Sequence, residues 1–432
     1  MSKEHFNQEL IQFLNASATP YHGVATMVAK LQKAGFQPLS ESESWSLKEG
    51  GKYYVTRNES SIIAFTMGKP ERGARMVGAH TDSPCLKVKP QPELSRHSYF
   101  QLGVEVYGGV LLNPWFDRDL SLAGRVQYLN HQQLLCHQLI NFKRPVAIIP
   151  SLAIHLDREV NSGRAVNPQT DIPPVLCQLV DGKTADFRDL LKQELIDQGH
   201  SDCQEVIEFD LSFHDTQSAA VIGLNHDFIA SARLDNLLSC YVGLESLIHH
   251  QPSGATALLV CNDHEEVGSV STTGAQGPFL KSVLERMYGT GESLTRAMDR
   301  SMLISTDNAH GIHPNYASKH DDHHAPKLNY GAVIKVNANQ RYATNDETAA
   351  IYRTLCQGIG SKVQHFVTRT DMACGSTIGP LTAGVLGVRT LDLGLPTFAM
   401  HSIRELAGSE DAFELCKTLS HFMALTELPL TK

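Results

Sequence analysis

Short apolar runs that stop abruptly at polar residues constrain this chain more than any other feature it has. Thr256–Asn262, Ser301–Thr306, Gly331–Val336, Lys362–Thr368 and Val388–Leu393 read as strands, and Asp346–Gln357 reads as a helix between two of them. Such runs lack a polar face, so they suit a sheet covered by helices on both sides. Strand, loop and helix in alternation indicate a layered α/β domain with a mixed, largely parallel sheet. Earlier in the chain, Phe6, Leu10, Phe13 and Leu14 recur at helical spacing, as do Val24, Met27, Val28 and Leu31 before Gly35. Lys52–Val55, Ser61–Thr66 and Ala74–Ala79 follow as short strands. Leu237, Leu238, Tyr241, Val242, Leu244, Leu247 and Ile248 read as a helix with a wide apolar stripe.

Between about Pro90 and Asp227 the texture differs. Gly103–Leu112 and Gly124–Leu129 alternate like half-buried strands, Arg144–Ile149 reads as a shorter apolar strand, and Ala185–Gln198 as a polar surface helix. The expected organisation is an α/β domain built from residues 1–90 and 228–432, interrupted by a β-rich module at 91–227.

Composition removes several function classes. The 432 residues are 42% apolar and 19% charged, enough to bury a real core. With 37 basic and 46 acidic residues the chain carries −9, which disfavours a general nucleic-acid or anionic-membrane binder. No apolar run approaches the roughly 18 residues of a membrane helix. The opening Met1-Ser-Lys-Glu-His-Phe6 lacks the apolar stretch of a secretory signal. The nine cysteines are odd in number and never form CxxC, so a reducing cytoplasm is the expected compartment.

In open α/β sheets, ligands bind beyond the carboxyl ends of strands. Four apolar runs deliver chemistry there: Arg75–Ala79 leads to His80 and Asp82, Ala257–Cys261 to Glu265 and Glu266, Ser301–Thr306 to Asp307, and Thr397–Met400 to His401. Imidazole and carboxylate ligands without thiolates suit zinc, cobalt or manganese in a hydrolytic site. Asp235, in Ser231-Ala-Arg-Leu-Asp-Asn236, reads either as a helix N-cap or as a fifth ligand bridging two ions. One of Glu265 and Glu266 can bind metal while its neighbour takes a water proton. Asp82 is spaced to hold the second nitrogen of His80. Taken singly, each residue has a plain structural reading; shared placement at strand ends favours the metal site.

Two louder clusters rank lower. His320-Asp-Asp-His-His324 sits in a loop with no strand before it, and His249-His250 ends a helix, where imidazole complements the dipole. His155, in the inserted module, stays a candidate.

Ala79-His-Thr-Asp-Ser-Pro84, Ser231–Asn236, Asp263-His-Glu-Glu-Val-Gly-Ser269, Ser305–His310, Ile334–Thr344 and Met400-His-Ser-Ile-Arg-Glu405 together resemble the aspartyl aminopeptidase family, which includes vacuolar aminopeptidase I. The resemblance implies two Zn2+ ions per subunit, with Co2+ or Mn2+ as substitutes. His80, Asp235 and Asp307 would hold one ion, and Glu266, Asp235 and His401 the other. Glu265 would be the general base and Asp82 the partner of His80. The module at 91–227 would be a dimerisation domain that sends His155 to a neighbouring subunit's site, against the oxyanion or the metal. Lys335 would meet an acidic substrate side chain, although by itself it reads as a strand-edge lysine. The family also implies a dimer-based homo-oligomer, often a tetrahedral dodecamer, acting on short peptides.

The expected activity is removal of the N-terminal residue of peptides, with preference for Asp or Glu. A metal-dependent amidase or deacylase of small N-acyl compounds is the alternative, and a non-catalytic oligomeric scaffold a third. Neither Gly-x-Ser-x-Gly nor a phosphate-loop motif occurs, so serine-hydrolase and nucleotidase readings lack support.

Overall fold

The computed structural model describes residues 2–180 and 185–430. The chain divides into two compact units, one of Met1–Asp82, Ala219–Met400 and Glu405–Lys432, the other of Ser83–Ser218 with His401–Arg404.

The first unit is α/β, as the apolar runs require. Its helices Lys3–Ala16 and Pro20–Lys33 bury Phe6, Leu10, Phe13 and Leu14, and Val24, Met27 and Leu31. The Ser2 hydroxyl accepts the His5 N–H at the first start, and a proline opens the second. The second helix stops where Gly35 turns left-handed (φ 85°), which lets the Phe36 N–H donate back to Leu31.

Nine strands form the main sheet, in the order Gln37–Pro38, Lys52–Arg57, Ser61–Thr66, Thr256–Asn262, Ala74–His80, Met302–Thr306, Arg389–Gly394, Ala332–Val336 and Val363–Val367. Thr256–Asn262, Ala74–His80, Met302–Thr306 and Arg389–Gly394 are mutually parallel neighbours at its centre. Every residue of the first three is buried, which explains why they read as continuous apolar runs. The parallel register aligns Asn262 with His80 and Ser305 with Gly78, so these strands release their following loops at one edge. The helix Leu234–His249 is buried along almost its whole length, as its wide apolar stripe demands. A smaller five-stranded sheet joins Ala220–Ile222, Phe228–Ser231, Glu405–Gly408, Pro396–Phe398 and Ala309–His310.

The second unit is a six-stranded antiparallel sheet with one longer helix. Its order is Leu135–Asn141, Leu120–Asn130, Cys203–Asp215, Cys85–Arg96, Tyr99–Tyr107 and Val175–Gln178. The helix Phe187–Asp197, capped by the Asp186 carboxylate, sets Phe187, Leu191 and Leu195 into the same core as Leu86, Phe100, Leu122 and Phe213. Pro90 and Pro92 fall inside the strand Cys85–Arg96, where its register with the neighbouring strand shifts between Val88 and Glu93. A proline donates no ladder bond, so an irregularity of this kind accommodates it. Arg144–Ile149 is not a regular strand: it makes only isolated bridges, Leu120 with Ala147 and Ile148 with Val175. Pro145 lies inside this run and Pro150 follows it, and neither can donate a ladder bond. Among the described residues, no helix is long and apolar enough to cross a membrane.

Candidate metal centre

The edge where the central parallel strands end gathers His80, Asp82, Asp235, Glu265, Glu266 and Asp307. His80 is the last residue of its strand and is 1% exposed. Its Nε2 lies 3.4 Å from Asp235 Oδ1, 3.5 Å from Asp307 Oδ1 and 3.9 Å from Glu265 Oε2. Around a tetrahedral zinc with bonds of about 2.0–2.1 Å, ligand atoms stand about 3.3–3.4 Å apart. The first two separations match that spacing. Donor atoms of His80, Asp235 and Glu266 all lie within 4.8 Å of one another. One imidazole with hard carboxylate oxygens, buried and without thiolate, is the donor chemistry of a hydrolytic zinc site.

Asp82 does two things at once. Its carboxylate is 3.3 Å from His80 Nδ1, whose proton also reaches the Asp82 carbonyl at 3.1 Å. The two carboxylate oxygens then accept the Glu265 and Glu266 N–H groups, each at 3.1 Å. One aspartate therefore fixes the imidazole tautomer and clamps the turn that carries both glutamates. His264 and Gly268 flank that turn in left-handed conformations.

Asp235 is not a helix N-cap. Its torsions (φ −83°, ψ 105°) and those of Asn236 (φ −124°, ψ 27°) are non-helical, and no side-chain cap bond forms at the start of Leu234–His249. Instead its N–H donates to the Glu405 carboxylate at 2.9 Å, while Asn236 Nδ2 donates to the Thr306 carbonyl at 2.8 Å. Behind the site, Cys240 Sγ donates to the His80 carbonyl at 2.9 Å. Glu405 and Asn236 lie inside stretches that the sequence marks out, yet neither carried a role; Cys240 had no signal.

Packing this many carboxylates together shifts their protonation. Burial pushes the Glu265 carboxyl up to about 7, with Asp307, Asp82 and Asp235 adding to the effect and His80 opposing it. Glu266 is raised too, by burial and then by Asp235. Burial opposes charge on His80, but hydrogen bonds to Asp235, Asp307 and Asp82 hold its pKa well above the ordinary imidazole value. Without a cation the site is over-full of negative charge, and a divalent ion offsets exactly this kind of crowding.

The remaining candidates are placed differently. Lys335 is buried in a strand flanked on both sides, which excludes the strand-edge reading. Its Nζ lies 3.3 Å from Asp307 Oδ2, 3.2 Å from the Asn308 carbonyl and 5.1 Å from the centre of the Tyr342 ring. His401 does not extend from the main sheet: the strand before it, Pro396–Phe398, belongs to the five-stranded sheet. It groups with the second unit, where its ring Nδ1–H donates to the Gly109 carbonyl at 3.0 Å and leaves the lone pair on Nε2. His155 is exposed in an irregular segment of that unit, between exposed Ile154 and Leu156. In the loop His320–His324, His324 Nδ1 pairs with Asp321 at 2.6 Å and His320 Nε2 donates to the His310 carbonyl. His250 Nδ1 bonds the Leu247 carbonyl at 2.7 Å, a structural role.

The model of the family described as aminopeptidase I zinc metalloprotease (M18) matches residues 13–423. A relative from Ectopseudomonas mendocina, named probable M18 family aminopeptidase 2, is 59% identical over 430 residues, covering 99% of this chain and all of that protein. The cryo-EM structure of the Ape4 and Nbr1 complex superposes with a TM-score of 0.94 at 38% identity, over 98% of this chain and 86% of that one. The S. cerevisiae mApe1 dodecamer superposes with a TM-score of 0.84 at 28% identity, over 97% and 96% of the two chains.

Proposed function

The chain belongs to the aminopeptidase I (M18) family of zinc metalloproteases and is a metallo-aminopeptidase; from that premise we propose that Glu265 is its general base and that it releases acidic residues from the N-termini of short peptides. The observation that carries the reading is the ring of carboxylate oxygens 3.4–3.5 Å from His80 Nε2, at the edge where the parallel strands end.

His80, Asp235 and Asp307 would hold one zinc ion, and Glu266 a second shared through Asp235. The family resemblance adds His401, whose tautomer suits a ligand, to the second set. Bound zinc would polarise the scissile carbonyl and supply an acidic water near neutral pH. Glu265, buried and raised to about 7, takes a proton from the attacking water and returns it to the departing amine. Asp82 keeps His80 in one tautomer and the Glu265–Glu266 turn in place. The free α-amino group of the peptide is the natural partner for the carboxylate-rich edge, which limits attack to the first bond. Lys335, the one buried lysine beside Asp307, supplies the positive charge for an acidic side chain.

The mApe1 relative assembles as a dodecamer, and we extend a dimer-based homo-oligomer of that kind to this chain. The exposed apolar segment around His155 supports the role of that histidine at a neighbouring subunit's oxyanion. Among the described residues no disulfide joins any of the nine cysteines, which supports a cytoplasmic setting.

The test is chelation and readdition of Zn2+, Co2+ or Mn2+ across Asp-, Glu-, Leu- and Lys-aminoacyl substrates, with N-acetyl analogues alongside. The reading requires metal-restored cleavage of free-amine substrates, fastest for Asp or Glu. Cleavage of the N-acetyl analogues at equal rates would replace it with an amidase.

A further inference from the structure

At the opposite end of the strand that carries His80 lies Arg75, which is 1% exposed. Five residues at about 3.3 Å each put it roughly 16 Å from the imidazole. A guanidinium has five N–H donors. Arg75 makes three bonds, all to carbonyls: Nη1 to Ala74 at 3.3 Å and Arg300 at 2.9 Å, and Nη2 to Thr426 at 3.1 Å. Nε has no partner, and among the described residues no carboxylate lies within ion-pair distance of Arg75. A buried cation whose direct hydrogen bonds all go to carbonyls is costly, and burial lowers its pKa to about 10, with Tyr288 and Glu427 opposing the shift from beyond ion-pair distance.

Arg75 lines a cavity of about 540 Å³ together with Lys69, Arg72, Arg300 and Arg389. Three carboxylates, Glu71, Asp299 and Glu427, also line it, and Glu49 reaches Lys69 at 4.0 Å from outside the lining. Arg72 is taken by Glu427 at 2.6 Å, and Arg389 by Glu347 at 3.0 Å and Asp299 at 3.6 Å. Arg300, exposed, donates only to the Glu71 carbonyl at 3.0 Å. The two guanidiniums without a carboxylate are thus the buried one and its exposed neighbour.

We propose that this cavity is a binding site for a phosphoryl dianion, seated on the open donors of Arg75 and on Arg300. Guanidinium forks match tetrahedral oxyanions in geometry, and a dianion balances the two guanidiniums that lack a carboxylate partner, where a single carboxylate would balance only one. The volume lies within the range of small-molecule sites, so both inorganic phosphate and the phosphate of a small organic monoester fit. Nothing in peptide hydrolysis uses this end of the sheet.

Calorimetric titration of the full-length zinc enzyme, without excess metal, tests the site with inorganic phosphate and with AMP at constant ionic strength. One saturable site is expected, weakened at least about tenfold, or about 1.4 kcal/mol, by both Arg75→Met and Arg300→Gln. Both variants should hydrolyse peptide within about twofold of the parent rate, since neither touches the metal centre. Tighter binding of AMP identifies an organic monoester, and equal binding identifies free phosphate. Should Arg75→Met fail to fold, the exposed Arg300→Gln decides alone. Unchanged affinity in the folded variants would place the anion elsewhere and overturn the proposal, as would the lack of any saturable binding.

Discussion

Two regions of this chain are rich in metal-binding side chains, and they differ in what holds them. His320–His324 sets three histidines and two aspartates in consecutive positions. The centre around His80 draws its residues from four separate stretches, at 80–82, 235, 265–266 and 307. In the loop, His324 is served by Asp321, with both about 40% exposed, and His320 by the His310 carbonyl. Among the described residues, no grouping of metal-ligand atoms forms there. At the strand ends, burial removes water as the alternative partner, and the sheet register fixes where each carboxylate stands. Ligand density along a sequence therefore says less about a metal site than rigidity and desolvation do.

The strongest way to break that contrast is to remove a ligand from the buried group. His80→Ala takes away the imidazole on which two carboxylates converge. Zinc affinity should fall by more than the roughly 10–100-fold attributed to outer-sphere partners, and turnover should drop below detection. Metal analysis of the dialysed variant checks it. Full zinc occupancy in His80→Ala would count against the site as drawn. Glu265→Gln separates ligand from base. It should retain the parent metal content and lose at least about 100-fold in turnover, within the range of general acid–base catalysis. A near-parental rate would remove Glu265 from the mechanism.

Parts of this contrast were legible beforehand. The central strands announced themselves because burial on both faces leaves no polar alternation, and Ser61–Thr66 and Thr256–Asn262 begin and end where the apolar runs do. Their polar exits, His80, Glu265 and Asp307, were readable for the same reason. What the sequence withheld is tertiary. The alternative of Asp235 as a cap was reasonable from residue type, but its backbone is held out of the helix, its N–H turned to Glu405, about 170 residues away along the chain. The double duty of Asp82 depends on a loop from another strand. The strand before His401 joins a different sheet from the other three, and no local pattern distinguishes sheets. Arg144–Ile149 has strand composition yet forms only isolated bridges, with Pro145 inside it and Pro150 after it.

A smaller effect sharpens the electrostatic side of the comparison. In metal-free protein, the Glu265 carboxyl is raised from 4.5 to about 7 by burial. The folded state then binds more protons than the unfolded state across that window, so stability falls as pH rises through it. Glu265 alone can contribute up to roughly 3 kcal/mol of this loss between about pH 4.5 and 7. His80, also raised, acts with the same sign above its ordinary value of 6.5. Zinc reverses the trend, because its binding displaces protons and strengthens with pH. Thermal unfolding of chelated and zinc-loaded protein from pH 5 to 8 should therefore diverge steadily. Chelated protein that gains stability over this range would contradict the account of a crowded, desolvated cluster.

The smallest expected effect comes from the louder motif. The double substitution His323→Ala and His324→Ala removes two of the three loop imidazoles. Of these, His324 bonds Asp321 within an exposed turn, where water and salt screen such a pair. The Asp321 carboxyl is held below its ordinary value chiefly by that bond, so it should titrate closer to normal in the variant. Metal content should not change, since the strand-end donors are untouched, and turnover should stay within about twofold unless the loop grips substrate. The two measurements separate the possibilities: an unchanged zinc count with a raised KM makes the loop a rim of the substrate site. Loss of even one equivalent of zinc would instead mean that an exposed, locally paired loop competes with a buried cluster for the ion, and rigidity would no longer account for where the metal goes.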